Sequence, residues 1–366
     1  MKIKINKSDL DKHISIAQKA ISNKSSIQIL EGIVFTAYDN KLKLSSTDLE
    51  LSIETQVDCE VLEEGSIVIK SSIIGNIVKK MPNDIITMTA NDEMVNIQSQ
   101  NSVFDIACQS AMDYPPLPDV EDEPILTIEN EDLNLAVRET IFATSNDETR
   151  LALTGILFEF NNDNISFVGL DGYRLAIKKY NYHSNEETSV IVPKRAFNEL
   201  IKILDEKTTE IILIKGHIAF INGSTKMYSR LIDKKYIDYS KIINGEYKTS
   251  VRVNRNDLIN SLDRALLLTT GASASLTKLT FEDGEISINS NSEFGRLDEK
   301  LYGKQEGDNI QIAFNTRYLL DGLKVIEDDE VLLHLNTPLS PMSIYPIHDT
   351  DNYLYLVLPV RLSQYR

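Results

Sequence analysis

Neither a tryptophan nor a long apolar run occurs in this 366-residue chain. No stretch approaches the roughly 18 apolar residues that cross a bilayer, which argues against a membrane-spanning helix. The opening MKIKINKSDL has no apolar segment behind its lysines, so no signal peptide is expected there. Cysteine is scarce as well. Cys59 and Cys108 fall in no metal-ligand spacing and build no disulfide framework, so they read as free thiols in a reducing cytoplasm. The five histidines (His13, His183, His217, His334 and His348) include no i, i+4 pair and no metal spacing. Positive charge is also short: 38 Lys and Arg against 55 Asp and Glu leave a net charge of -17. A DNA surface repels such a protein, so total charge argues against nucleic acid unless the charges are unevenly placed.

What the chain does have is self-similarity, with a period of a whole domain. Its openings are KINKSDL (4–10), IENEDL (128–133) and VNRNDL (253–258), which bring Leu10, Leu133 and Leu258 into correspondence. Each opening leads into a helix and then an alternating strand: LEGIVFTAY (30–38), LTGILFEFN (153–161) and LTKLTFEDG (276–284). Ile33, Ile156 and Leu279 correspond, as do Phe35, Phe158 and Phe281. The second part of each repeat reads strand, helix, strand, strand, at 66–90, 189–215 and 309–335. Period-2 alternation marks the strands and period 3.6 the helices. Each repeat is therefore two βαβββ-like halves. MDYPPLP (112–118) corresponds to IDYSKII (237–243), so the proline run reads as a junction between repeats. The expectation is an α+β chain of three tandem copies, about six helices and many antiparallel strands. Copies related by one rotation either close or continue as a filament, and an arc of three closes most simply as a two-chain ring of six units.

Charge is unevenly placed along these elements. The predicted helices 7–24, 70–80, 131–139, 194–204, 255–267 and 315–326 carry +2, +3, -2, +2, 0 and +1, leaving -23 for the rest of the chain. A surface lined by helices would then be the least acidic one. Helix lysines are also common merely as solvated residues, so this contrast is a pointer and not a proof. GLDGYR lacks the strand-to-helix spacing of a phosphate loop. The acidic loops at 91–93 and 327–330 read as solvated turns, since Mg²⁺ normally takes substrate phosphates as co-ligands.

Taken together, TDLELSIE (47–54), DETRLALTGILFEF (147–160), VGLDGYRLA (168–176), SRLIDKKYIDY (229–239), FNTRYLLDGLK (314–324) and LYLVLPVRL (354–362) resemble the β subunit of bacterial DNA polymerase III, the sliding-clamp family. The likeness runs end to end and in family order. It implies the DNA clamp fold, with clamp domains at 1–122, 123–247 and 248–366. It also implies a homodimeric ring of six units, helices lining the inside and antiparallel sheets outside. The implied role is a cytoplasmic processivity factor with no cofactor and no catalytic site, which encircles duplex DNA without reading its sequence. The implied partners are the DNA polymerase III α subunit, the clamp loader, other DNA polymerases and repair proteins. A repeat scaffold that binds peptides without encircling DNA is the competing reading, and it predicts no charge contrast. An enzyme would need convergent titratable residues, which the sequence does not offer.

Residue by residue, the resemblance puts a DNA-contacting basic residue at Lys24. The charge pattern adds Lys79, Lys80, Arg138, Arg150 and Lys202. Asp147, Leu151 and Ala152 depart from the polar and aromatic residues that the family has in the loop around Arg150. A partner-peptide pocket is implied from Leu153, Leu170, Gly172, Tyr173, Arg174 and Leu175 in the middle repeat. Pro341, Val357, Leu358, Pro359, Val360, Arg361 and Leu362 complete it from the third. Taken singly, Leu153, Leu175 and Val357 read as plain core. Asn244 stands where the family often has proline, and SQYR follows Leu362 beside the expected pocket. The dimer seam is expected between Phe104 and Ile106 on an edge strand and Leu267 and Leu268 on a helix. An ion pair of Asp105 with Arg296 or Lys300 is expected across it.

Overall fold

A strand runs into a helix and then into three antiparallel strands six times along the chain. The structure, a computed structural model, describes residues 1–22, 27–91, 93–120, 122–184, 186–243, 245–268, 275–293 and 295–361. The first repeat opens with Lys2–Asn6, helix α1 (Lys7–Ala17) and strands Gly32–Tyr38, Lys41–Thr47 and Leu51–Asp58. It closes with Gly65–Lys70, α2 (Ser71–Lys80) and strands Ile85–Ala90, Met94–Ser99 and Ser102–Ala107. The middle repeat opens with Leu126–Glu129, α3 (Asn130–Thr140), Gly155–Asn161, Asn164–Leu170 and Arg174–Tyr180. It closes with Thr188–Pro193, α4 (Lys194–Leu200), Thr208–Ile214, His217–Asn222 and Thr225–Arg230. The third repeat opens with Thr249–Asn254, α5 (Arg255–Leu268), Leu276–Glu282, Glu285–Ser292 and Gly295–Tyr302. It closes with Ile310–Asn315, α6 (Thr316–Val325), Glu330–Leu335, Met342–Pro346 and Tyr353–Val357.

The same positions anchor each copy. Leu10, Leu133 and Leu258 are buried at the same point of α1, α3 and α5, and Phe35, Phe158 and Phe281 are fully buried in the strands that follow. Strands with one wet face alternate, as in Glu330–Leu335, while Asn164–Leu170 is buried on both faces and reads as an almost unbroken apolar run. The hairpin at Asp39–Asn40 turns with both residues at positive φ, and Asp283–Gly284 does the same, as tight two-residue hairpins require.

All six expected helices form, but α1 and α4 end well short of the expected bounds, and α2 and α6 are trimmed by one or two residues. α1 ends at Ala17 and tightens into a 3₁₀ turn at Gln18–Ala20, while α4 ends at Leu200. Lys19, Lys70 and Lys202 therefore fall outside α1 to α6, and Lys24 lies outside the described residues. With the observed bounds, α1 to α6 carry 0, +2, -2, +1, 0 and +1, a total of +2 rather than the expected +6. The helices remain less acidic than the rest, by a smaller margin.

The chain divides into two compact units, Met1–Glu131 with Arg195–Leu231, and Asp132–Lys194 with Ile232–Arg366. Each holds a nine-stranded sheet made by one rule, in which the last strand of an opening half pairs with the last strand of the next repeat's closing half. In the first unit Leu51–Asp58 lies against Thr225–Arg230. In the second Arg174–Tyr180 lies against Tyr353–Val357. Two smaller sheets remain. The five-stranded sheet of the first unit ends at Ser102–Ala107, and the four-stranded sheet of the second ends at Gly295–Tyr302. α1 and α2 pack together in the first unit, α5 and α6 in the second.

Candidate functional site

The expected pocket residues converge within the second unit, around the end of its strand pair Arg174–Tyr180 and Tyr353–Val357. Arg174 lies opposite Val357 and Leu175 opposite Leu356. The Leu358 N–H donates to the Tyr173 carbonyl at 2.8 Å, and the Val360 N–H to that of Ala313 at 2.7 Å. The C-terminal segment is thereby held along the strand edge. Leu153, Leu170, Leu175 and Val357 are buried. Leu153, Leu170 and Leu175 share a cluster with Leu157, Val168 and Leu356, onto which Leu358 and Ile242 pack. These leucines are thus core side chains whose cluster forms a floor. Gly172, Tyr173 and Arg361 are exposed, and Pro341, Leu358, Pro359 and Val360 are half-buried. Tyr173 is 56% exposed and Leu339, nearby in the chain to Pro341, is 65% exposed. A cavity of about 60 Å³ lies against the same floor, lined by Ile242, Tyr247, His334, Pro341 and Leu356 among others. Leu362 lies outside the described residues, as do Asn244 and the SQYR tail.

The turn that presents Tyr173 is rigid. Asp171 accepts from the N–H groups of Tyr173 and Arg174 at 2.8 and 3.0 Å and from Arg174 Nε at 2.9 Å. Gly172 has φ +93°, and a Cβ there would meet Arg150 Nη1 at 2.9 Å. Arg174 also donates to Asp321 at 2.6 Å and stacks over Tyr318 at 4.4 Å. Tyr173 stacks on Tyr318 with ring centroids 6.1 Å apart. The Tyr355 hydroxyl donates to the Tyr318 carbonyl, and Gly322 lets α6 approach Tyr355, because a Cβ at 322 would fall 2.1 Å from that ring. Sequence reasoning missed Asp171, Tyr318 and Asp321. Asp171 was findable as a side chain that caps its own turn in LDGYR. Tyr318 and Asp321 share one face of a helix at i, i+3 spacing, but only tertiary packing shows that this face meets Arg174.

The basic candidates divide by what already holds them. Lys79 and Lys80 are exposed at the end of α2 and form no ion pair among the described residues. Arg138 pairs with Glu327 at 2.6 Å and Lys202 with Glu199 at 2.9 Å. Arg150 is bound to Asp147 and donates to the Asp171 carbonyl at 2.8 Å, so it buttresses the Gly172 turn. Lys24 lies outside the described residues.

Of the seam candidates, Phe104 and Ile106 lie on the sheet-edge strand Ser102–Ala107, and Leu267 and Leu268 lie on α5. Phe104 is 40% exposed and Ile106 half-buried on Ser102–Ala107. Leu267, at the end of α5, is 75% exposed and Leu268 is half-buried. Within one chain Asp105 accepts from Asn96, Arg296 pairs with Asp298, and Lys300 with Glu285.

Three family descriptions match in tandem. They are the N-terminal domain of the DNA polymerase III β subunit over residues 1–118, its central domain over 127–238 and its C-terminal domain over 240–361. The chain is 31% identical to the beta sliding clamp of Bacillus subtilis, covering 99% of this chain and all of that one, and 31% identical to that of Halalkalibacterium halodurans, covering 95% and 96%. Its fold superposes on the crystal structure of the Bacillus subtilis DNA polymerase sliding clamp with a TM-score of 0.95 at 29% identity over 99% of each chain. It superposes on the DNA polymerase III β subunit of Thermotoga maritima with 0.92 at 28%, again over 99% of each chain. Three α+β domains in tandem, built from antiparallel sheets and matched end to end by these relatives, place the chain in the bacterial DNA polymerase III β-subunit family of DNA replication, the sliding clamps.

Proposed function

We propose that two copies of this chain close into a ring around duplex DNA and hold a polymerase on it as a processivity factor. The observation that carries the reading is the repeated sheet junction. Opening and closing halves join twice within the chain, and the third pair of edges, Ser102–Ala107 and Gly295–Tyr302, has no strand partner among the described residues. Following the strand pairings outward from corresponding residues makes Glu54, Ile177 and Lys300 equivalent. The same procedure makes Lys226, Leu354 and Val103 equivalent. Glu54 lies opposite Lys226 and Ile177 opposite Leu354. By the same rule Lys300 lies opposite Val103 of the partner subunit, which sets Asp298 opposite the partner's Asp105. Arg296 and Lys300 flank Asp298 on the same strand face, so the partner's Asp105 reaches them diagonally. Pairing also covers two strand edges that would otherwise template aggregation. Phe104, Ile106, Leu267 and Leu268 supply the apolar part of that seam.

A closed ring holds DNA by topology, so its contacts can be weak and independent of sequence. Lys79 and Lys80, free of carboxylates, suit mobile phosphate contacts best. Lys24 is assigned by the family pattern, and Arg138, Arg150 and Lys202 would first have to leave their present partners. A tethered polymerase rebinds intramolecularly, which raises its effective concentration without chemistry in the clamp. The clamp is on this reading an accessory subunit of the cytoplasmic DNA polymerase III holoenzyme with no catalytic site. Its groove takes a short apolar peptide from the polymerase α subunit, the clamp loader or repair proteins. The domain limits 1–122, 123–247 and 248–366 follow the repeats, whereas the compact units cut through the middle one.

Retention on DNA tests the topology. The protein loaded on a nicked circle should stay bound at moderate salt and leave once the circle is cut. Equal retention on circular and linear DNA contradicts encirclement and favours the scaffold.

A further inference from the structure

The second unit's sheet junction contains a buried charged cluster that the first lacks. Lys178, opposite Tyr353 in the strand register, is 4% exposed. Its ammonium bonds Asp349 and lies 3.1 Å from Glu139 Oε2. Glu139, on α3, is 5% exposed, and the Lys178 ammonium is the polar group its Oε2 meets, with no second partner among the described residues. The Tyr353 hydroxyl donates to the Glu139 backbone carbonyl at 3.2 Å. Tyr180 turns its ring to the same ammonium at 5.2 Å, and its hydroxyl is buried without a partner. Arg138, next to Glu139, is drawn away by Glu327, and Asp132 accepts from Tyr182. One ammonium thus faces a buried carboxylate, Glu139, and a half-buried one, Asp349, whose side chain is 32% exposed. A buried excess charge of this kind is removed most simply by a proton.

We propose that this junction is a proton-responsive joint, in which Glu139 binds a proton beside Lys178 and Asp349 and loosens the strand pair Arg174–Tyr180/Tyr353–Val357 when it releases that proton. Burial pushes the Glu139 carboxyl up to about 7, against the pull of Lys178 and with the help of Asp349. A carboxyl raised in the folded chain contributes stability that is fully present below its ordinary value and is lost as pH rises through about 7. Arg174 and Val357, four residues along the same strands, line the groove. The joint would therefore tune the groove, a consequence that rests on the peptide-binding reading, whereas the proton site does not.

Amide hydrogen exchange of the intact protein at pH 6 and pH 8, corrected for intrinsic rates, tests the joint. The opening equilibrium of the two strands should rise about tenfold between these values. Glu139→Gln, which cannot ionise, should hold the pH 6 behaviour throughout, and Glu139→Asp should restore a pH dependence. Unchanged opening in the native chain, or full pH dependence in Glu139→Gln, overturns the proposal. Should Glu139→Gln fail to fold, the native ratio alone decides. Peptide affinity measured alongside separates the two readings, since a titrating joint with no peptide binding removes only the groove.

Discussion

The two sheet junctions occupy equivalent positions and are built from opposite chemistry. In the first unit the strand register sets Thr55 opposite Thr225, their hydroxyls bond at 2.8 Å, and His13 Nδ1 meets Thr55 Oγ1 at 2.7 Å. In the second unit the corresponding positions are Lys178 and Tyr353, and the cluster is ionic. Backbone geometry is conserved between the two: Arg230 N–H donates to the Glu50 carbonyl as Leu358 N–H donates to that of Tyr173. A fold repeated within one chain thus fixes the strand pairing and leaves the side chains free. One copy of the junction became a plain seam. The other acquired a charged core and, at its end, Tyr173 over an apolar floor.

The largest consequence falls on stability. Lys178→Met strips the buried Glu139 and the half-buried Asp349 of the ammonium they share, which should cost about 3 kcal/mol in urea unfolding at pH 8. Thr55→Val removes a neutral hydroxyl pair and should cost about 1 kcal/mol. Equal losses would erase the contrast. Next comes recognition. Tyr173→Glu gives the second junction the residue found at Glu50 in the first, and should weaken peptide binding at least about tenfold by calorimetry while leaving Tm unchanged. Normal affinity in that variant would move the groove elsewhere.

A smaller effect separates the joints by pH. Burial, with Lys12, holds His13 below its ordinary value, against the opposing pull of Asp9 and Asp205. A histidine so lowered contributes stability that is present above its ordinary value and is lost as pH falls through the folded one. Exchange of Leu51–Asp58 should therefore quicken on acidification, opposite in sign to Arg174–Tyr180, and His13→Gln should flatten it. The smallest effect concerns an exposed charge. Asp105→Lys should weaken dimerisation by at most about 1 kcal/mol in sedimentation equilibrium, because surface ion pairs contribute little. No change would remove the ion pair and leave the apolar seam.

Much of this architecture was legible in the sequence. Leu10, Leu133 and Leu258 announce the threefold repeat, and apolar periodicity marks every helix. Helix 7–24 overran because the backbone tightens into a 3₁₀ turn at Gln18 without a break in the residue pattern. Pairing between distant strands was not legible, since Leu51–Asp58 and Thr225–Arg230 carry no local signal of each other. Nothing in LAIKKY marks Lys178 as buried, and Glu139 and Asp349, brought from elsewhere in the chain, make its burial tolerable. Leu153, Leu170 and Leu175 are buried, as single leucines are expected to be, and their place beneath a peptide groove belongs to the proposed function.

Cross-linking across the third junction probes the ring most directly. A chain carrying Val103→Cys and Lys300→Cys, treated with a short bis-maleimide, should give one product of two 41.3 kDa chains, above the background from Cys59 and Cys108. A ladder of higher products would mean that the copies run on without closing. No cross-link at this register would mean that the two free edges do not meet.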